Sequence, residues 1–224
     1  MKRISIFFIL FLCLFSIEEI KSQSFLGVKG GVNIPFVNYN DFTNVPINTR
    51  IRTEYFFSST YGISYRFMQT EKIGIQFDLN YSTKGWGQNT LDFTNTSITE
   101  INYLELPFYL HWQIFGTNKF KFFLDAGVYA AWALSSTTKI ENDQDLEEFQ
   151  IEYSPEEDNR GDFGIVAGVG LSYDFSLFVL QLDGTFKSGF ANILPVNHLV
   201  RENPIVSTNQ VTAIQLSLLF PLSK

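Results

Sequence analysis

Apolar and polar side chains alternate with a period of two through INYLELPFYLHWQIF, residues 101–115. Leu104 and Leu106 belong to a set of even positions that is uniformly apolar, whereas Glu105 and His111 stand among the odd positions. Successive side chains of an extended strand point to opposite faces, so a period of two indicates a strand. The segment is therefore predicted to be a strand with one apolar face and one mixed, polar face.

The same alternation predicts an all-β chain of eight antiparallel strands. Their approximate limits are residues 25–34, 55–69, 72–83, 99–115, 119–135, 162–175, 177–188 and 210–220. Three connections are short turns, and the other four are long, covering 35–54, 84–98, 136–161 and 189–209. Short turns at one end and long loops at the other are typical of an up-and-down transmembrane β-barrel with periplasmic turns and extracellular loops. An even number of strands then puts both termini on the periplasmic side.

Aromatic residues of the apolar face are concentrated at the two ends of the strands. Trp112 and Phe220 lie at the short-turn ends, Trp132 and Phe163 lie at the long-loop ends, and mostly aliphatic residues stand between them. Two aromatic girdles around an aliphatic belt match the two interfaces of a bilayer. The apolar face is therefore predicted to contact lipid. Alternation alone also fits the inverse arrangement, a soluble periplasmic lipocalin-like barrel with an internal ligand cavity, which stays open as an alternative.

The polar face is then predicted to line the inside of the barrel as a packed network. Eight strands enclose only enough room for side chains, so the interior should be filled and should not form a pore. Charges buried there must be paired or have a strongly shifted pKa, because an isolated charge in a low-dielectric interior is very unfavourable. Lys84, Asp183 and Lys187 also stand at the alternate strand positions whose side chains should point inward. The network itself is assigned to Arg66, Asp78, Glu105, His111, Asp125, Asp162 and Asp174.

One position on this face conflicts with a closed sheet. Pro107 lies in the middle of the fourth predicted strand, and proline has no N–H group to donate to the ladder. A closed barrel also has no free edge at which such a residue is easily tolerated. We therefore predict a bulge or a locally broken hydrogen bond at Pro107.

The first 24 residues, MKRISIFFILFLCLFSIEEIKSQS, are predicted to be a secretory signal peptide that is removed. Lys2 and Arg3 precede an apolar run, residues 4–17, that is too short to cross a bilayer as a helix. Residues 25–224 would then form a single barrel domain without cysteine, because Cys13 is the only cysteine. The formal net charge of the whole chain is −7, which argues against a nucleic-acid partner.

Catalytic chemistry finds little support in the sequence. The two histidines are His111 and His198, and a hydrolase would need one of them within hydrogen-bond reach of a serine and a carboxylate. Glu105 and His111 lie on one strand at a distance of roughly 20 Å, too far apart for such a dyad. A lipid-modifying outer-membrane barrel is kept as the enzymatic alternative, but no catalytic or cofactor-binding residue is assigned.

The acidic segment at residues 141–160 raises the question of a metal site. Asp143, Asp145 and Glu147 are candidate calcium ligands, but Leu146 stands where the EF-hand pattern requires a glycine. A solvated acidic loop is the favoured interpretation of such a charge run. No metal ligand is therefore assigned, and no cofactor is expected.

Four segments resemble the PorT-like outer-membrane β-barrel family of the Bacteroidota: FLGVKGGVN (25–33), YLELPFYL (103–110), FLDAGVYAA (123–131) and DFGIVAGVGLSYDF (162–175). The resemblance covers essentially the whole chain after the signal peptide and implies an eight-stranded barrel in the cell outer membrane. The namesake of the family takes part in a secretion system that also serves gliding motility. An envelope or secretion-system protein is therefore an implied partner, whereas the motifs are structural and imply no catalytic residue.

The expected function is that of a non-enzymatic structural, surface-interaction or assembly component of the outer membrane. Its expected partners are outer-membrane lipid and, during insertion, the outer-membrane assembly machinery, which reads a final strand that ends on an aromatic residue such as Phe220. The four long loops and the periplasmic rim would form its functional surface.

Overall fold

The computed structural model describes residues 22–40, 52–89, 96–141, 153–194 and 206–222. These residues form a single antiparallel β-sheet of nine strands. Its strands are β1 (Gln23–Asn40), β2 (Arg52–Glu54), β3 (Ser58–Met68), β4 (Ile73–Asn89), β5 (Thr96–Gly116), β6 (Phe120–Glu141), β7 (Gly161–Asp174), β8 (Val179–Asn192) and β9 (Val206–Pro221). Within these ranges, no helix is long and apolar enough to cross a membrane.

Eight of the nine strands close into a ring. Along the ring the order is β1, β3, β4, β5, β6, β7, β8 and β9, and β9 pairs with β1 from Phe25 opposite Pro221 to Asn40 opposite Val206. Every neighbouring pair in the ring is antiparallel. Closure of this kind removes the free edges of a sheet. The predicted all-β, up-and-down barrel of eight strands is therefore confirmed.

The short strand β2 is an addition that the sequence pattern did not predict. It pairs with the end of β4, with Arg52 opposite Asn89. Residues 55–57 separate β2 from β3 and belong to no strand. The predicted strand 55–69 therefore starts too early, because the pairing of β3 with β1 begins only at Ser58.

The two faces of the barrel wall have opposite chemistry. Along β7, each buried residue from Asp162 onward alternates with an exposed one. Leu106, Val169 and Leu216 are 57%, 51% and 51% exposed, whereas Glu105 is fully buried. The apolar face is thus outside and the polar face inside, which is the arrangement of a barrel in lipid. The alternative of a soluble lipocalin-like barrel is wrong, because its apolar face would point inward.

Several strands continue well beyond their predicted limits at the end of the long connections. β4 runs to Asn89, β5 starts at Thr96 and β6 runs to Glu141, so the predicted loop 84–98 is reduced to residues 90–95. A membrane-spanning strand needs about 9–11 residues, and β6 has 22. Its last segment, SSTTKIE, is largely polar on both faces. The alternation of hydrophobicity therefore stops before the strand does.

Pro107 interrupts the sheet on one side only. It pairs with Tyr129 of β6, and that ladder continues on both sides of it. Toward β4, Asp78 and Leu79 drop out of the ladder, but the pairs before and after them keep the same register. The prediction of a bulge or a locally broken hydrogen bond is therefore confirmed in its second form, because a missing N–H removes a ladder bond without adding a residue.

The start of β1 bears on the predicted signal peptide. Most of residues 1–24 lie outside the described part of the chain, so the signal peptide stays a prediction. Gln23 and Ser24 pair with Met68 and Phe67 of β3. Cleavage after residue 24 would therefore remove two residue pairs from the ladder between β1 and β3.

The outward face of β6 allows a test of membrane depth. Val128 is 54% exposed between the aromatic residues Phe122 and Trp132, and Leu134 is 50% exposed beyond Trp132. We expect Val128→Arg to lower the free energy of unfolding by about 2–4 kcal/mol and Leu134→Arg by about 0–1 kcal/mol, because a charge is penalised most at the bilayer midplane. Urea unfolding of the protein in phospholipid bilayers measures both losses. Equal losses would contradict this placement in the membrane.

Candidate functional site

A chain of hydrogen bonds crosses the barrel lumen in its short-turn half. Lys29 Nζ donates to Asp78 at 2.7 Å, and Gln76 Nε2 donates to the other carboxylate oxygen of Asp78 at 2.9 Å. The side-chain oxygen of Gln76 accepts from Arg66, whose guanidinium also donates to Gln181 on the opposite wall. In order, the members of the chain are Lys29, Asp78, Gln76, Arg66, Gln181 and Asp183.

Glu105 lies at the centre of a second layer, closer to the long connections. Its carboxylate forms ion pairs with Lys84, at 2.8 Å, and with Lys187 of β8. Lys84 Nζ also lies 2.9 Å from Asp162, which accepts hydrogen bonds from the Tyr129 hydroxyl at 3.2 Å. The side chains of Lys84 and Glu105 are fully buried. The glutamate in the middle of an apolar sequence thus has two cationic partners.

Aromatic rings enclose this second layer. Lys84 Nζ lies 4.9 Å from the ring centroid of Tyr103 and 4.5 Å from that of Tyr129. A cation over an aromatic face is attracted by the quadrupole of the ring. A Cβ atom at Gly189 would lie 2.7 Å from Asp162 Oδ1. Glycine at this position therefore leaves the space that the carboxylate occupies.

His111 forms a third contact, with a partner that the sequence did not indicate. Its Nδ1 lies 2.7 Å from Asp125 Oδ1, and its ring packs against Phe123 with centroids 4.8 Å apart. His111 and Asp125 are directly opposite each other in the ladder between β5 and β6. Within the described part of the chain, His111 Nε2 has no hydrogen-bond partner. A hydrolase built on this pair would need a hydroxyl nucleophile within hydrogen-bond reach of that second nitrogen.

Asp174 does not belong to the interior network to which it was assigned. It ends β7 at the short-turn end, is only partly buried, and accepts a hydrogen bond from the backbone N–H of Ser176 at 2.6 Å. Ser176 has a φ of 70°, in the left-handed region, and the hydrogen bond from its N–H supports the tight turn between β7 and β8. The assignment is wrong because the alternation of a strand identifies the face of a residue but not its depth in the barrel.

Three polar residues complete the network although they were not assigned to it. Lys29, Gln76 and Gln181 are each at most 6% exposed. Lys29 stands two residues from Gly27 and from Gly31 on the inward face of β1, so the alternation already contained this signal. Among the described residues, the interior holds four cations and five carboxylates: Lys29, Arg66, Lys84, Lys187, Asp78, Glu105, Asp125, Asp162 and Asp183.

Buried apolar side chains cluster at both ends of the lumen. At the end of the long connections, Tyr153 and Leu194 pack into a cluster with Trp86 and Tyr103. At the short-turn end, Phe25, Met68 and Leu219 form a second cluster beside a cavity that Arg66 and Lys121 also line. No charged residue between these two clusters is more than 6% exposed. The described residues therefore leave no open passage along the barrel axis.

The connection that leads into β7 forms a cap over the lumen. The carbonyl of Tyr153 accepts a hydrogen bond from Ser136 Oγ at 2.8 Å, and the Tyr153 hydroxyl donates to the carbonyl of Asn159 at 2.9 Å. The Asp158 carboxylate accepts from the backbone N–H of Ser154 at 2.8 Å. Burial raises the pKa of Asp158, and burial raises the pKa of Tyr153 to about 12. The phenol therefore keeps its proton and stays a hydrogen-bond donor at neutral pH.

Metal binding is not indicated by the described residues, among which no group of three histidine, cysteine or acidic side chains is arranged to hold an ion. The candidate calcium ligands Asp143, Asp145 and Glu147 lie outside the described residues, and so does His198. The calcium hypothesis therefore stays a hypothesis from the sequence.

The ion pairs of Glu105 predict a large loss of stability when the carboxylate is removed. We expect Glu105→Ala to lower the free energy of unfolding by about 3–5 kcal/mol, because Lys84 and Lys187 lose a buried counter-charge. Replacing Glu105 and Lys187 together by methionine should recover part of that loss. In that double variant, Lys84 is the only buried cation that has lost Glu105 as a counter-charge.

The exposed pair of Glu100 and Lys139, with side chains 27% and 62% exposed, provides the control. Glu100→Ala should cost less than about 1 kcal/mol, as is usual for a surface ion pair. Urea unfolding in detergent micelles measures all three variants. A Glu105→Ala protein as stable as Glu100→Ala would refute the structural role of the buried pairs.

Several solved outer-membrane proteins are similar to this chain in fold. The outer membrane protein OprG from Pseudomonas aeruginosa has a TM-score of 0.48 and 12% identity, over 93% of this chain and 100% of its own. The attachment invasion locus protein Ail of Yersinia pestis has a TM-score of 0.41 and 9% identity, over 88% and 99%. The outer membrane protease OmpT from Escherichia coli has a TM-score of 0.44 and 10% identity, over 93% and 100%. At these TM-scores the similarity supports no inference about function.

The sequence itself places the chain in a protein family. No curated protein sequence matches the chain. The family model described as outer membrane protein beta-barrel domain matches residues 21–194, which is more than half of the 224 residues. The matched part includes β1 to β8 and all the charged residues of both layers, whereas β9 lies beyond it. The chain therefore belongs to the outer membrane protein beta-barrel domain family.

Proposed function

We propose that this outer-membrane protein is a non-enzymatic structural, surface-interaction or assembly component that acts through its two ends and not through its lumen. The observation that carries the proposal is the filled interior, where Glu105 pairs with Lys84 of the neighbouring strand and with Lys187 of β8, and none of the three has exposed surface. Passage of a solute would require these buried ion pairs to separate, which is strongly unfavourable. Binding at either rim requires no such change.

The proposal includes an orientation in the membrane. The long connections would face the cell surface, and both termini would lie in the periplasm. What supports this orientation is the sorting of connection lengths: residues 69–72, 117–119 and 175–178 form short turns at the end where β1 begins and β9 ends. Barrels of the outer membrane usually keep their short turns in the periplasm.

A finer proposal concerns the partner. The segments FLGVKGGVN, YLELPFYL, FLDAGVYAA and DFGIVAGVGLSYDF resemble the PorT-like branch of the Bacteroidota barrels. That resemblance supports a link to a PorT-type secretion and gliding system, with an envelope protein of that system as the partner. The rim of the barrel is the part that such a partner could reach, because the lumen is filled.

A lipid-modifying enzyme is the alternative that this proposal sets aside. Such an enzyme would need a histidine, a serine and a carboxylate close together at one membrane interface. Support for the non-enzymatic proposal comes from His111, which is fully buried in the lumen with its Nδ1 on Asp125. In that position the imidazole is separated from the lipid by the barrel wall.

The filled lumen predicts that the protein does not conduct ions. In planar bilayers we expect no stepwise conductance from the reconstituted protein, because the charged layers and the two apolar clusters block the axis. A porin reconstituted in the same way supplies the positive control. Reproducible unitary steps from the folded, heat-modifiable protein would contradict a closed lumen.

The proposed orientation can be tested with single cysteines, because the only native cysteine, Cys13, lies in the predicted signal peptide. Glu156→Cys places a thiol in the cap segment, and Asn118→Cys places one in the turn between β5 and β6; both positions are exposed. A membrane-impermeant maleimide should label Glu156→Cys in intact cells. It should label Asn118→Cys only after the outer membrane is permeabilised. The reverse pattern would contradict the proposed orientation.

The same two cysteines can carry a photoactivatable crosslinker to test the partner. In intact envelopes, we expect a crosslinked product with one defined envelope protein from at least one of the two rims. An outward cysteine in the lipid belt, Val169→Cys, is the matched control, because Val169 is 51% exposed to lipid. The partner proposal fails if both rim positions give only the lipid adducts of the control.

A further inference from the structure

A notch opens on the outer wall of the barrel at the end of the long connections. Its volume is about 530 Å³, and it is bounded by Trp132 of β6, by residues 155, 156 and 158–161 and by Ala191 and Asn192 of β8. Trp132 is 55% exposed on the outward face. The notch is therefore separate from the filled lumen and open to the surroundings of the barrel.

An aromatic patch lies on the lipid side of this notch. Phe163 and Phe190 are 57% and 58% exposed, and their rings meet edge to face with centroids 6.3 Å apart. Trp132 lies beside them, because it stands two residues along β6 from Ala130, which is directly opposite Phe163 in the ladder between β6 and β7. Exposed aromatic residues at the end of a transmembrane strand mark the membrane–water interface. The notch thus opens at the level where acyl chains end and headgroups begin.

The opposite side of the notch is polar and carries both signs of charge. Arg160 donates through its Nε to the Pro155 carbonyl at 2.5 Å, and a guanidinium has four further N–H donors. Glu156 is exposed, and Asp158 uses one carboxylate oxygen to hold the backbone N–H of Ser154. Two carboxylates beside one guanidinium disfavour a multiply charged anion. They suit an uncharged polyol, whose hydroxyls both donate and accept.

We propose that this notch binds the sugar headgroup of an outer-leaflet glycolipid. The apolar face of a pyranose ring would lie against the Trp132 indole, and its hydroxyls would bond to Glu156 and Arg160. The acyl chains would follow the outward face past Phe163 and Phe190. A ligand with both parts fits because the polar notch and the aromatic patch are continuous. The assignment to the outer leaflet rests on the orientation proposed above, whereas the binding of sugar does not.

Native mass spectrometry of the folded protein tests the proposal. The protein is kept in a detergent without a sugar headgroup, so that the detergent cannot compete. The probe is a diacylglycerol that carries an uncharged disaccharide, and the reference lipid is phosphatidylglycerol with the same acyl chains. We expect saturable binding of the glycolipid and much weaker binding of the reference lipid.

Matched variants locate the site. Arg160→Gln and Glu156→Gln should each weaken glycolipid binding by about tenfold, the size expected for one hydrogen bond to a charged group. Trp132→Ala should weaken it by a similar factor. Trp112→Ala is the control, because Trp112 is 49% exposed on the same outward face at the other end of the barrel. Its binding should equal that of the unchanged protein.

Three results would overturn the proposal. The first is glycolipid binding that is unchanged in Trp132→Ala and Glu156→Gln proteins whose circular dichroism and heat-modifiability show the native fold. The second is equal binding of phosphatidylglycerol, which would make the notch an anionic-lipid site. The third is equally tight binding of the free disaccharide, which would make the ligand of the notch a soluble glycan and not a glycolipid. A failed orientation would appear separately, in the cysteine labelling of intact cells, and would leave these affinities unchanged.

Discussion

The pairing of charges inside a lipid-embedded wall is the interaction on which this barrel depends. The lumen is narrow and its wall faces hydrocarbon, so an ionised side chain within it is removed from water on every side. Glu105 is accommodated there because Lys84 and Lys187 reach it from two other strands, and Lys84 is shared with Asp162. These contacts join β4, β5, β7 and β8 across the lumen. They therefore stabilise the closed ring beyond what hydrogen bonds between neighbouring strands supply.

The filled lumen also limits where an activity can lie. Charged layers occupy the middle of the barrel, and apolar clusters around Met68 and Tyr103 lie at its two ends. A transport route would have to cross all of these layers, whereas a ligand or a partner reaches the rims directly. The outward notch beside Trp132 has the polar and aromatic groups of a binding site, at the level of the membrane interface. This contrast supports the proposal that the protein acts through its outer surface and its two ends.

The extension of β4, β5 and β6 beyond the lipid belt links the fold to that surface. Within the bilayer, a strand must alternate because one side meets hydrocarbon and the other meets the polar lumen. Beyond the bilayer, both sides meet water or protein, so SSTTKIE can be polar throughout while its backbone stays paired with β5. This part of the wall beyond the lipid belt carries Ser136, whose hydroxyl donates a hydrogen bond to the Tyr153 carbonyl of the cap. The cap in turn forms one side of the outward notch.

By itself, the sequence determined the eight strands of the ring and most of the residues inside the lumen, because lipid enforces strict alternation on every residue of the belt; the aromatic girdles then indicated which face is outside. Glu105 and Asp78 could be placed inside on that ground alone. Only the tertiary structure decided which charges meet, since Glu105 and Lys187 are 82 residues apart and parity carries no information about depth. Asp174 was misplaced for that reason: it has the inward parity of the network but lies at the rim. The lengths of the strands beyond the belt were also decided by backbone pairing, which leaves no trace in hydrophobicity once lipid no longer contacts the wall.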